Sequence, residues 1–244
     1  MTRREARPGR RTRAGRCVVV IACLVFAPAC SSTVSGDPRP ASAPAATTSA
    51  AGPASRPPVE LLLPPERLPA QYVAVVLPPE AVAQAAPDLT GIHPGSKVDP
   101  GGCLPPAQDY GSGGTAMVVG TNNRSRATIS VEVARSAQTL ADYRTYLTEC
   151  SRVEATVRGV TSTVETVLED DPAPPVGAAE TLALTRTVRS GQGPGSVTQS
   201  MTTRVAQIED VRVTVTYMSF DSAPPDAANL DRVFREAVEY AAQP

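Results

Sequence analysis

Few side chains in this sequence could do chemistry. The chain has 244 residues, with five cysteines and a single histidine. His93 stands in GIHPGS. An imidazole can serve as a general base only if a nucleophile is brought within hydrogen-bond reach. Beside a Pro-Gly turn, His93 reads as a loop residue, and a hydrolase built on it is a remote alternative. The sequence holds no GxSxG elbow and no HExxH pair. The cysteines that remain after processing, with one histidine, do not make the usual zinc tetrad. Gly111-Ser112-Gly113-Gly114 leads into a strand. A phosphate cradle needs a helix N-terminus there, so this is a loop. Glu169-Asp170-Asp171 and Glu209-Asp210 lack the wide spacing of a calcium loop and read as solvated turns. The expectation is a non-enzymatic protein without metal or cofactor.

The cysteines are more informative. Residues 1–16 carry seven arginines against Glu5, and CVVVIACLVFA follows without a charge. A basic stretch, a short apolar core and small residues at its end make an export signal, assigned to residues 1–29. Ala27-Pro28-Ala29 suits an ordinary signal peptidase, and Cys30-Ser31-Ser32 comes next. That arrangement resembles a bacterial lipobox, so Cys30 is the expected lipidation site. Secretion without lipid is the alternative. A diacylated Cys30 would hold the protein on the outer face of the cytoplasmic membrane.

Residues 30–58 form an expected disordered tether rich in Pro, Ala, Ser and Thr. Such a segment cannot bury enough apolar surface to offset its chain entropy. A glycosylated stalk at Thr47, Thr48 and Ser49 is the other reading. Removal of the signal leaves 16 basic and 23 acidic residues, a net of −7, and the chain has no Trp. An acidic protein with few stacking faces is a poor fit to nucleic acid. In an oxidising compartment, Cys103 and Cys150 form an even pair and are expected to bond. Two separate buried thiols are the alternative.

Residues 59–244 must supply whatever site exists. Tyr72 to Leu77 reads as a strand, and Pro78-Pro79 starts a helix to about Ala86. The stretches HPGSKVDPGGC and PPAQDYGSGG read as loop. Residues 115–121 and 128–134 are strands, and Ile129, Val131 and Val133 alternate with polar residues. Thr139 caps a helix whose buried stripe ends at Cys150. Hairpins follow over residues 152–168 and 180–207, then the strand VRVTVTYMSF. A last helix, introduced by Ser222 and Pro224-Pro225, carries Leu230, Val233, Phe234, Ala237, Val238 and Ala241 on one stripe. Consecutive hairpins with helices set apart describe one α+β domain: a mainly antiparallel sheet with helices packed on it.

The helix LADYRTYLTEC, taken with the lipobox, the Pro/Ala tether and the strands that follow, resembles the small actinobacterial (mycobacterial-type) lipoproteins of unknown function. More distantly it is similar to the extracellular sensor domains of mycobacterial receptor Ser/Thr kinases of the PknH type. The resemblance implies a sensor-like domain with a ligand-sized cleft, but those sensors carry two disulfides and this chain has cysteines for one. The expected role is a non-catalytic, membrane-anchored domain that takes an apolar small molecule between sheet and helix. An accessory module of a cell-envelope complex, binding a partner protein, is the alternative. The ligand-contacting residues are left unassigned.

Overall fold

Alternation along the strands divides this domain into two unequal halves. The computed structural model describes residues 52–191, 195–220 and 224–244. They form a nine-stranded open sheet in which every neighbouring pair is antiparallel. In chain order the strands are β1 (Val73–Val76), β2 (Lys97–Asp99), β3 (Thr115–Thr121), β4 (Thr128–Arg135), β5 (Arg152–Val157), β6 (Val160–Glu169), β7 (Glu180–Ser190), β8 (Val197–Ile208) and β9 (Val211–Ser219). Across the sheet they run β1-β3-β4-β9-β8-β7-β6-β5-β2. The helices are α1 (Pro58–Leu61), α2 (Pro79–Thr90), α3 (Leu140–Glu149) and α4 (Ala227–Ala241).

On one face, Ile129, Val131 and Val133 of β4 lie opposite Tyr217, Val215 and Val213 of β9 in the same core cluster. The helix α4 covers them. Its apolar residues recur at the helical period, so Leu230, Val233, Phe234, Ala237, Val238 and Ala241 are all buried against the sheet. Leu61, Leu62 and Leu63 join the same cluster from the N-terminal segment. Tyr72 donates from its hydroxyl to Asp226 Oδ2 at 3.1 Å, which ties that segment to the cap of α4. Burial is the main reason the Tyr72 phenol is held above its usual range.

The other face carries α2 and α3. Thr139 Oγ1 caps α3 by accepting from the backbone N–H of Asp142 at 3.0 Å. Leu140 and Leu147 then pack on Leu182, Leu184 and Val205. The helix α2 passes Ala86 and runs on to Thr90 with Pro87 inside it, ending at Gly91 with φ 71°. A left-handed C-cap favours glycine, and a Cβ at Gly91 would also sit 2.5 Å from Val188 Cγ2.

Several boundaries differ from the sequence expectation. Residues 53–58, placed in the tether, belong to the folded unit: Pro53–Ser55 is a short 3-10 helix and Pro58 is buried at the start of α1. Arg56 donates to the carbonyls of Gln243 and Glu60, and Arg135 donates to the carbonyls of Pro53 and Arg56. These long-range partners hold a Pro-rich segment that has no periodic pattern of its own. Lys97–Asp99, read as loop, pairs with β5 as an edge strand. The expected signal peptide 1–29, Cys30 and the rest of the tether up to Ala51 lie outside the described residues, as does Ser222. The cap of α4 is Asp226. Both sheet edges are short, which limits strand-to-strand aggregation.

Candidate functional site

The face under α2 and α3 is not fully filled. A half-enclosed cavity of about 340 Å³ lies between the sheet, the two helices and the segment 105–110. Its sheet side includes Glu132 on β4 and Arg212, Thr214 and Thr216 on β9, which alternate with the buried valines of the opposite face, and Arg186 on β7, between Thr185 and Thr187. The helices add Leu89 and Thr90 from α2, and Tyr143 and Tyr146 from α3. The strand alternation thus has a second consequence: it lines the cavity floor with polar side chains.

Two of these groups are charged residues with little solvent access. Glu132 is 9% exposed and Arg186 is 8% exposed. Gln108 Nε2 donates to Glu132 Oε1 at 2.5 Å and to Thr115 Oγ1 at 3.1 Å. Burial pushes the Glu132 carboxyl up, and the Gln108 hydrogen bond and the Arg212 charge oppose this without cancelling it. Arg212 stacks over Tyr143, with its guanidinium carbon 4.6 Å from the ring centre. It donates from Nε to Gln207 Oε1 at 3.2 Å and from Nη2 to the carbonyl of Gln138 at 2.8 Å. Arg186 donates from Nε to Thr166 Oγ1 at 3.1 Å and from Nη1 to the carbonyl of Leu89, in the last turn of α2, at 2.6 Å. Gln138 Oε1, on a residue of the cavity wall, is buried without a hydrogen-bond partner.

The Glu132 environment makes a direct prediction. A carboxyl whose folded pKa is raised favours folding most below its unfolded pKa of about 4.3. That contribution is lost as pH rises through the window from the unfolded value to the raised folded value. Glu132→Gln is therefore expected to raise the thermal midpoint at neutral pH. The gain should shrink as the melts are taken below pH of about 4.3. A variant less stable than wild type at neutral pH would mean that the Glu132 charge supports the fold.

The cysteines are bonded: Cys103 and Cys150 form a disulfide across a sequence separation of 47. Cys150 caps α3 and touches the cavity, and Cys103 begins the segment that walls it. The hydroxyl of Tyr146 donates to the carbonyl of Cys103 at 3.2 Å, so helix and segment are joined twice. Tyr143, a residue of the expected helix stripe, and Tyr146 stack with centroids 6.1 Å apart and face the cavity.

His93 is not part of this site. Its Nδ1 lies 3.6 Å from Asp88 Oδ1, and both side chains are half exposed. Burial is the main influence raising Asp88, and His93 partly opposes it. Asp171 pairs with Arg144 at 2.6 Å, and Asp210 pairs with Arg135 at 3.0 Å. Both acidic clusters thus lie in surface ion pairs. Sequence reasoning expected a cleft with aliphatic walls; the lining is mixed, with Glu132, Arg186 and Arg212 beside Leu89, Leu147 and Leu184. A partial signal was available: Arg212 shares its strand face with Thr214 and Thr216, and Glu132 shares its face with Ser130, whereas Arg186 stands between Leu184 and Val188 on its face.

A family model described as a domain of unknown function (DUF5642) matches residues 65–233. No curated protein matches the chain. The X-ray structure of an uncharacterized protein from Mycobacterium smegmatis, the Rv0999 ortholog, is similar to it at 16% identity and a TM-score of 0.42. That match covers 73% of this chain and 93% of the other.

Proposed function

We propose a role for a chain that belongs to the DUF5642 family: a non-catalytic, sensor-like domain that binds a small molecule, held at the outer face of the cytoplasmic membrane by a lipid on Cys30. The observation that carries the binding reading is the cavity of about 340 Å³ between sheet and helices. Small-molecule sites are concave, largely apolar and fixed by a few convergent polar groups, with volumes of roughly 300–1,000 Å³. The Cys103–Cys150 bond supports the extracytoplasmic placement, because structural disulfides persist in oxidising compartments. The Arg-rich start, the short apolar core and Cys30-Ser31 support the anchor.

A second reading is an accessory module that binds an envelope protein. The β1 edge favours it, since Val73 and Val75 are 66% and 57% exposed beside an unpaired strand edge. Mass spectrometry of the membrane-extracted mature protein, with its co-purified small molecules and proteins, separates the two. A stoichiometric small molecule released on unfolding is the expected result. A stoichiometric protein with no small molecule would favour the partner reading. A soluble chain with an unmodified Cys30 N-terminus would refute the anchor.

A further inference from the structure

The cavity contains a buried cation with donors to spare. A guanidinium has five N–H groups in a planar fork and is always charged. Arg186 commits Nε to Thr166 and one N–H of Nη1 to Leu89. Its Nη2 has no protein acceptor among the described residues, and no carboxylate there forms a salt bridge with it. The partners it does have account for a structural role, tying β7 to β6 and to the C-terminal turn of α2. They leave one side of the fork unmatched, at a side chain only 8% exposed that lines the cavity. A buried cation without a counter-charge is costly, and a bound anion would supply the missing charge.

Arg212 is not equivalent. Its guanidinium is already matched by the Tyr143 face, Gln207, and the carbonyls of Gln138 and Thr139. It also lies in the field of Glu132. Glu132 itself stands on β4, three strands away from Arg186 on β7, so its carboxyl belongs to the other end of the site. Burial raises that carboxyl, and Gln108 and Arg212 oppose the rise from its own side of the cavity. On the strands between Glu132 and Arg186 the floor carries Thr216 and Thr203, and Leu184, Leu147 and Tyr146 also line the cavity.

We infer that the cavity takes amphipathic acids: small molecules with an apolar body and one oxyanion head, carboxylate or phosphate, seated on the Arg186 guanidinium. This rests on the binding reading above and narrows it from an apolar ligand to an anionic one. Arg pairs with either head in the same forked geometry, so the chemistry is shared between a fatty-acid-like and a phosphate-ester ligand.

The test is equilibrium dialysis of octanoate, octyl phosphate and octanol against the full processed chain in nanodiscs, with empty nanodiscs as the blank. At least one acid should bind tighter than octanol by roughly tenfold to a hundredfold, the range for hydrogen bonds to a charged group. The two acid arms report which head is preferred. Arg186→Gln should bring the acids to the level of octanol, whereas Arg212→Gln should keep the preference. Octanol binding as tightly as both acids would overturn the anionic ligand while leaving the binding cavity standing. No probe binding above the blank would overturn both. A preference lost in R212Q and kept in R186Q would move the head to the wrong arginine and refute the assignment. If R186Q fails to fold, the wild-type series decides by itself.

Discussion

Replacing Cys103 and Cys150 together by serine is expected to lower the unfolding free energy by about 4 kcal/mol and to weaken binding in the cavity. The stability term follows from the loop: a cross-link spanning 47 positions removes that much chain entropy from the unfolded state in the loop-closure account. The binding term follows from place. Cys103 leads the segment that brings Pro105, Gln108 and Tyr110 to the cavity wall, and Cys150 sits at the end of α3, which brings Tyr143 and Tyr146. Without the bond, the segment is held to α3 through the Tyr146 hydroxyl, and to the sheet through Gln108 on Glu132 and Thr115 on the carbonyl of Asp109. These are single hydrogen bonds, each contributing about 1 kcal/mol net. Urea unfolding with and without reductant measures the first effect. Octanoate dialysis on the double variant measures the second. A denaturation midpoint unmoved by reductant would show that the bond does not constrain the unfolded chain.

Phe234→Ala is expected to cost about 3–5 kcal/mol, the range for emptying a large aromatic site in a packed core. Phe234 lies on the stripe of α4, is 3% exposed, and packs in the cluster that includes Val131, Val213 and Val215. Among the described residues this cluster is the largest, and it shares no residue with the cavity lining; its valines lie on the opposite face of the same strands. The folded fraction of the variant should therefore keep its affinity for octanoate within about twofold, as expected for sites that share no partners. The pair of variants separates the two faces of the sheet. One lowers stability and binding together, the other stability alone. A loss under about 1 kcal/mol would mean that α4 is not docked on the sheet as described.

Much of the fold could be read from local pattern. In β4 and β9 the side chains alternate strictly, because a pleated strand sends successive residues to opposite faces. In α4 the period is helical, and the burial of all six stripe residues follows. The hairpin at Gly159 was equally visible, and so was the turn at Glu209-Asp210 before the last strand, since short turns join neighbouring strands. The N-terminal boundary was not. Residues 53–58 look like tether because their hold on the domain comes from Arg135, Gln243 and the α4 region, far along the chain. The strand β2 was missed for a related reason. Three residues between Gly and Pro have no period to read, and β5 alone makes them a strand.

The candidate site divides in the same way. The sequence by itself determined the cysteine pair, the alternating strands and the amphipathic helices, because each is written in composition or in spacing over a few residues. Only the tertiary structure decided that Glu132, Arg212 and Arg186, on three different strands, share one half-enclosed space. It also decided that Arg186 is buried beside Thr166 and Leu89 rather than on a solvated face. The physical reason is that the period of a strand says which residues share a face, while the order of strands across the sheet and the helices laid over it say which face stays open. That order is set by long-range pairing and packing, and no short stretch of residues encodes it.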